Sequence, residues 1–154
     1  MSRRTQYAPG VPCWVESLHP DPLAARSFYA DLFEWAFDDP APLTGRCVAR
    51  RHGRLVAALE PAPGTLANAV WLTHVSVAEL ERSLELALAA GAAILAPVRE
   101  RGAAGRAAVI ADPEGVALAL WEAGSCAAAE VRDEPGAWWM SALHTAQPET
   151  AAAF

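Results

Sequence analysis

Apolar and polar positions alternate over residues 12–18, which places Trp14, Glu16 and Leu18 on one face of a strand and Cys13, Val15 and Ser17 on the other. Asp21-Pro22 then supplies an N-cap followed by a first-turn proline, and Leu23, Phe28 and Leu32 continue a helix to about Phe33. A short strand is expected near Trp35 to Phe37, a loop from Pro40 to Gly45, and a hairpin of 46–51 with 54–59 around His52-Gly53. After Pro61 to Gly64 the same order restarts. Residues 70–76 read as a strand, and Glu79 to Ala90 as a helix with Leu80, Leu84 and Leu88 along one stripe, closed by Gly91. Three more strands follow at 92–98, 106–111 and 116–121, the last two joined by the turn Asp112-Pro113-Glu114-Gly115. The chain thus predicts two successive β-α-β-β-β units, an α+β fold.

A second periodicity overlies the first. Pro9-Gly10 returns as Pro135-Gly136, Pro22 as Pro148, Ala25 as Ala151 and Phe28 as Phe154, all at an ungapped offset of 126. A repeat this long implies domain duplication, since stacked arrays use shorter periods. The expected organisation is a disordered lead over 1–9, a domain over 10–123 with units 10–60 and 68–123, a linker over 124–137, and the truncated start of a second copy over 138–154. That tail is expected to hold a Trp-containing strand and a helix start. A strand there would pair with a sheet edge or support dimerisation.

Composition narrows the class. The 154 residues are 53% hydrophobic, enough for one core and too few for two complete domains. No apolar run reaches the roughly 18 residues of a membrane span, and the arginine pair at the N-terminus precedes no signal-like stretch. A cytoplasmic protein without a membrane partner is expected. The net charge of −6 argues against a nucleic-acid partner, and the absence of lysine excludes a Schiff-base mechanism on the chain. Cys13, Cys47 and Cys126 have no metal-ligand spacing and read as reduced thiols.

The opening strand followed by residues 21–29, the second opening at Trp71 to Val77, the helix end Ala89-Ala90-Gly91-Ala92, and Gly105-Arg106 with Ala111-Asp112-Pro113-Glu114-Gly115 together resemble the vicinal oxygen chelate superfamily, which includes glyoxalases, bleomycin-resistance proteins and dioxygenases. The offset repeat resembles tandem two-domain members from high-GC bacteria. The resemblance implies paired β-α-β-β-β units forming a curved mixed sheet around a cup. It also implies, in catalytic members, a divalent metal held by side chains from the first and last strands of each unit. In this chain those positions fall near Trp14, Ala57, Leu72 and Ala119, none of which can ligate a metal. Glu16 and His74 lie one step further along the opening strands and offer at most two ligands. A metal-free site with no cofactor is therefore expected.

The strand parities line that cup with Trp14, Leu18, Leu72, Ser76, Ala119 and Trp121, and make Glu16 and His74 its ionisable groups. Flat aromatic walls beside small alanines suit an aromatic or polycyclic small organic molecule. Three functions follow. One is metal-independent binding, as in drug-binding resistance members, with a homodimer expected. Another is a metal-free lyase, isomerase or cyclase of secondary metabolism with Glu16 and His74 as catalytic acid and base. The third, less well matched, is a metal-dependent glyoxalase-like or dioxygenase-like enzyme.

Overall fold

A computed structural model describes residues 6–64, 66–126 and 128–154. Most of the expected disordered lead, residues 1–5, lies outside the described residues. The elements run β1 (Pro12–His19), α1 (Pro22–Phe33), β2 (Ala36–Phe37), β3 (Cys47–Arg51), β4 (Arg54–Pro61), β5 (Val70–Val77), α2 (Leu80–Ala89), β6 (Ala93–Glu100), β7 (Gly105–Ala111), β8 (Ala117–Ala123) and α3 (Pro148–Ala153). The β-α-β-β-β order therefore occurs twice, as the periodicity predicts.

The chain packs as two compact units. The first holds residues 14–72 and 128–140, and the second holds 6–13, 73–126 and 141–154.

Within the first unit the strand order is β2-β3-β4-β1, with β1 parallel to β4 and the remaining pairs antiparallel. Helix α1 begins as expected, because the Asp21 carboxylate accepts the Ala24 N–H at 3.0 Å ahead of Pro22. It ends where Glu34 turns left-handed at φ 59°. The β3–β4 turn sets both His52 (φ 50°) and Gly53 (φ 76°) left-handed, the geometry a two-residue hairpin requires. Apolar burial centres on Val15, Trp35, Ala49, Val56 and Val131, with Tyr29, Phe33 and Phe37 packed alongside. Trp71 meets Tyr29 edge-on at 5.4 Å between ring centres.

The C-terminal part of this unit departs from the expectation of a strand after Trp138. Residues 137–140 form no ladder. The segment is held through its backbone and aromatic groups instead. The Trp35 indole donates to the Gly136 carbonyl (2.7 Å), the Glu130 carboxylate accepts the Leu55 N–H (2.9 Å), and the Arg132 guanidinium lies 4.7 Å over the Trp138 ring. Packing around Trp138 overrides local strand propensity.

Within the second unit the order is β5-β8-β7-β6, with β5 parallel to β8 and the others antiparallel. Helix α2 buries Leu80 and Leu84 against Ala108, Ile110 and Leu120. Leu88, expected on the same stripe, is exposed near the helix end. No side chain of its own first turn caps α2; the Glu122 carboxylate from β8 accepts the Leu80 N–H at 2.7 Å. Glu122 also receives Arg106, which in turn reaches Glu81. These bonds to the ionised form hold the Glu122 carboxyl below the usual range, the Leu80 N–H first and Arg106 second. Gly105 is required where β7 starts. Its φ is +148°, and a Cβ there would stand 2.3 Å from the Glu122 carbonyl oxygen and 2.9 Å from the Trp121 ring.

Candidate functional site

Alternation along β1 directs Val15 into the aromatic core of the first unit and Glu16 to the opposite face. The parallel register pairs Glu16 with Ala58 on β4, and the antiparallel register pairs Ala58 with Val48 on β3. The closing-strand position beside Glu16 is therefore Ala58, one residue beyond the expected Ala57. Glu16 is 1% exposed. A carboxylate buried this deeply demands a charge partner, and Arg46 provides it by donating from Nε to Glu16 Oε1.

The loop before β3 fixes Arg46. The Arg46 carbonyl accepts the Ala41 N–H (2.8 Å), and the Arg46 N–H donates to Thr44 Oγ1 (3.2 Å). Gly45 between them is left-handed at φ +68°, and a Cβ there would meet Pro61 at 2.8 Å. Because β4 lies between β3 and β1, the arginine must cross a strand to reach Glu16. Ala58, with no side chain beyond Cβ, lies on that path. Trp14 is buried, with an indole N–H that has no hydrogen-bond partner among the described residues, and Leu18 is half-buried.

In the second unit the register pairs His74 with Ala119 and Ser76 with Trp121. These four expected site residues thus share one face, opposite the face that packs on α2. All four are buried, His74 to 3% exposure. The His74 ring meets Trp121 edge-on at 6.3 Å between ring centres. The Trp121 indole N–H has no hydrogen-bond partner among the described residues. The Ser76 hydroxyl, expected to face a ligand, donates to the Tyr7 carbonyl at 3.3 Å, so it also anchors the N-terminal segment. Backbone bonds join that segment to β5 as well, from Gly10 N–H to the Ser76 carbonyl (2.8 Å) and from Ser76 N–H to the Val11 carbonyl (2.9 Å). The Cys13 thiol donates to the His74 carbonyl, and burial pushes it up to about 12. Leu72 is buried.

The same relationship therefore appears in each unit: an ionisable residue of the opening strand stands opposite an alanine of the closing strand. A divalent metal of the kind the fold implies needs three or four converging donors. Ala58 and Ala119 carry none, and among the described residues no three His, Cys, Asp or Glu side chains converge. These residues do not fit such a metal. Arg46 is the component that sequence pattern does not reveal. The cost of burying Glu16 signals that a cation must pair with it, but the chain holds 12 arginines and only the strand order selects one.

Comparison with known proteins gives a consistent picture. The family described as "Glyoxalase-like domain" matches residues 15–121. A Mycobacterium bovis protein named "Putative glyoxylase CFP32" is 33% identical over 160 residues, covering 100% of this chain and 61% of its own length. The anthracycline biosynthesis protein DauV of Streptomyces sp. strain C5 is 32% identical over 150 residues, covering 86% of this chain and 54% of its own. The chain thus spans between half and two thirds of these relatives. Among solved structures, the Mn(II)-bound glyoxalase from Novosphingobium aromaticivorans superposes with a TM-score of 0.54 at 15% identity, over 82% of this chain and 42% of that one. At that identity the likeness concerns the fold. Among the described residues no helix is long and apolar enough to cross a membrane.

Proposed function

Because the chain belongs to the glyoxalase-like domain family, we propose that it holds a hydrophobic or aromatic small molecule without a metal, in a resistance or secondary-metabolite role. The observation that carries this reading is the register pairing Glu16 with Ala58 and His74 with Ala119. Where the fold calls for metal donors on the closing strands, these positions carry alanines, which offer none. In the second unit the face beside Ala119 adds the Trp121 ring as an apolar wall and His74 as a polar anchor. In the first unit Trp14 and Leu18 flank Glu16. The relative named for anthracycline biosynthesis supports a polycyclic aromatic ligand.

Saturable quenching of tryptophan fluorescence by the neutral tricyclic 9-fluorenone tests this reading, with and without prior treatment with EDTA. Equal affinity in both samples is expected, with weaker binding by Trp121→Ala. No saturable binding, or binding that chelation removes, refutes the proposal.

A second reading, acid–base catalysis by Glu16 and His74 on a secondary metabolite, is favoured by the burial of both ionisable groups. It requires that Glu16→Gln abolish turnover of such a compound while leaving its affinity intact. We also propose a homodimer. Exposed Ile94, Leu95 and Val98 on β6, the terminal strand in the second unit's order, support association through that edge, which sedimentation measures. The lack of a disulfide at Cys13, Cys47 and Cys126 among the described residues supports a cytoplasmic location.

A further inference from the structure

The second unit holds a cleft that the reading above does not use. Glu149, Thr150, Ala153 and Phe154 fall on one stripe of α3, and with Ala90 at the end of α2 and Pro113 in the β7–β8 turn they line about 460 Å³. All six residues belong to the second unit. Helix α2 packs on the sheet face opposite His74 and Trp121, so a ligand here does not depend on that face. A tether fixes α3. The Thr145 hydroxyl donates to the Glu114 carboxylate beside Pro113 and accepts the Gln147 N–H at 2.8 Å, just ahead of the helix. With Glu114 so engaged, Glu149 is the carboxylate left in the cleft, and among the described residues it has no hydrogen bond or ion pair.

Three features set the charge preference of this cleft. Glu149 is an acceptor-only carboxylate. Helix α2 ends at Ala90 with no basic residue in its last turn, and no backbone N–H among the described residues reaches the Ala89 or Ala90 carbonyl, so the negative end of its dipole is uncompensated. The Phe154 ring, in a residue 37% exposed, offers a π face to a cation. The opposing positive end belongs to α3, which at six residues aligns fewer peptide dipoles than the ten of α2. The walls decide against a bare metal ion, because one carboxylate cannot supply the oxygen shell a hard cation requires. Ala90, Pro113, Ala153 and Phe154 match a hydrocarbon group instead. We propose that this cleft binds an organic ammonium ion, an amine cation on a small hydrocarbon group. Glu149 accepts from the ammonium and Phe154 packs on the cation and its hydrocarbon. The Thr150 hydroxyl, which donates to Gln147 Oε1 at 3.4 Å, has lone pairs left to accept one further N–H.

The test titrates the full chain with benzylammonium, benzyl alcohol and benzoate, which keep the ring and change the charge, while amide NMR shifts are followed. Benzylammonium is expected to bind about tenfold tighter than benzyl alcohol, since the carboxylate, the helix end and the ring each contribute a factor of about two to five at an exposed site. It should shift the Ala90, Thr150 and Ala153 amides and bind more weakly at high salt. Benzoate should not bind there. Glu149→Gln is expected to weaken benzylammonium about threefold and leave benzyl alcohol unchanged. Where that variant unseats α3, Ala90→Arg makes the same test from the other wall. It puts a cation where the α2 dipole favours one, so the helix is retained, and it must abolish the preference for benzylammonium. Equal binding of benzylammonium and benzyl alcohol by wild type overturns the proposal. So does binding of benzoate at the same amides, a preference that survives Ala90→Arg, or benzylammonium shifts that avoid the cleft. None of these outcomes bears on the aromatic-binding reading, which 9-fluorenone tests separately.

Discussion

Replacing Arg46 by methionine keeps an unbranched stem across Ala58 but removes the guanidinium that donates to Glu16. Breaking a buried ion pair by removing one partner costs about 3–5 kcal/mol, because the remaining charge stays desolvated. Glu16 meets that condition at 2% side-chain exposure, whereas Arg46 at 23% admits some solvent. The lower end, about 3 kcal/mol, is therefore expected. At 154 residues each kcal/mol moves Tm by about 2–4 °C, so Arg46→Met should melt about 6–12 °C below wild type. Glu16→Gln alone leaves the half-exposed guanidinium able to reach water and should cost about half as much. The double variant should lie within about 1.5 kcal/mol of wild type, giving a coupling energy of about 3 kcal/mol or more, at the upper end for residues in contact. Urea unfolding followed by circular dichroism measures all four proteins, with the slope m checking that the unfolded state is unchanged. Arg46→Met within about 0.5 kcal/mol of wild type would refute the claim that this arginine satisfies Glu16. Additive single variants would show that the two side chains act independently.

Other outcomes follow from the second unit and the thiols. Glu122 and Glu81 both titrate below the ordinary carboxylate value, Glu122 through the Leu80 N–H and Arg106, and Glu81 through Arg106. Their contribution is present above the unfolded carboxylate pKa and is lost as pH falls through the lower folded values. Glu122→Gln should cost about 1–2 kcal/mol at neutral pH and make the loss of stability between pH 5 and 3 shallower, measured by urea midpoints; an unchanged acid limb counts against the linkage. Gly105→Ala should destabilise by about 2–4 kcal/mol and alter the near-ultraviolet circular dichroism of Trp121, since its Cβ meets the Glu122 carbonyl and the indole. Native spectra and stability would contradict that packing. Iodoacetamide at pH 8, with peptide mass spectrometry, should label Cys126 well before Cys13, whose thiol is buried and pushed up to about 12. Comparable rates at both would be incompatible with a buried, protonated Cys13.

Much of the fold is legible in local pattern. Asp21-Pro22 announces the start of α1, His52-Gly53 announces a two-residue hairpin, and the repeated periodicities announce two β-α-β-β-β units. Strand parity also places His74, Ser76, Ala119 and Trp121 on one face. Local pattern fails where a distant group decides. The N-terminus of α2 is capped by Glu122, 42 residues away. The segment after Trp138 is held by contacts to Trp35 and Arg132 in place of a strand ladder.

The Glu16 pair shows the division most clearly. Alternation along residues 12–18 determines that a carboxylate shares a face with Trp14 and Leu18, and the cost of burial determines that it needs a partner. Neither identifies Arg46. That choice depends on β4 lying between β3 and β1, on Ala58 being small where the side chain crosses, and on the left-handed Gly45 that aims the residue after it. Periodicity is set by neighbouring residues and survives in the sequence. An ion pair spanning three strands exists only once strand order and register have brought its members within a few ångströms.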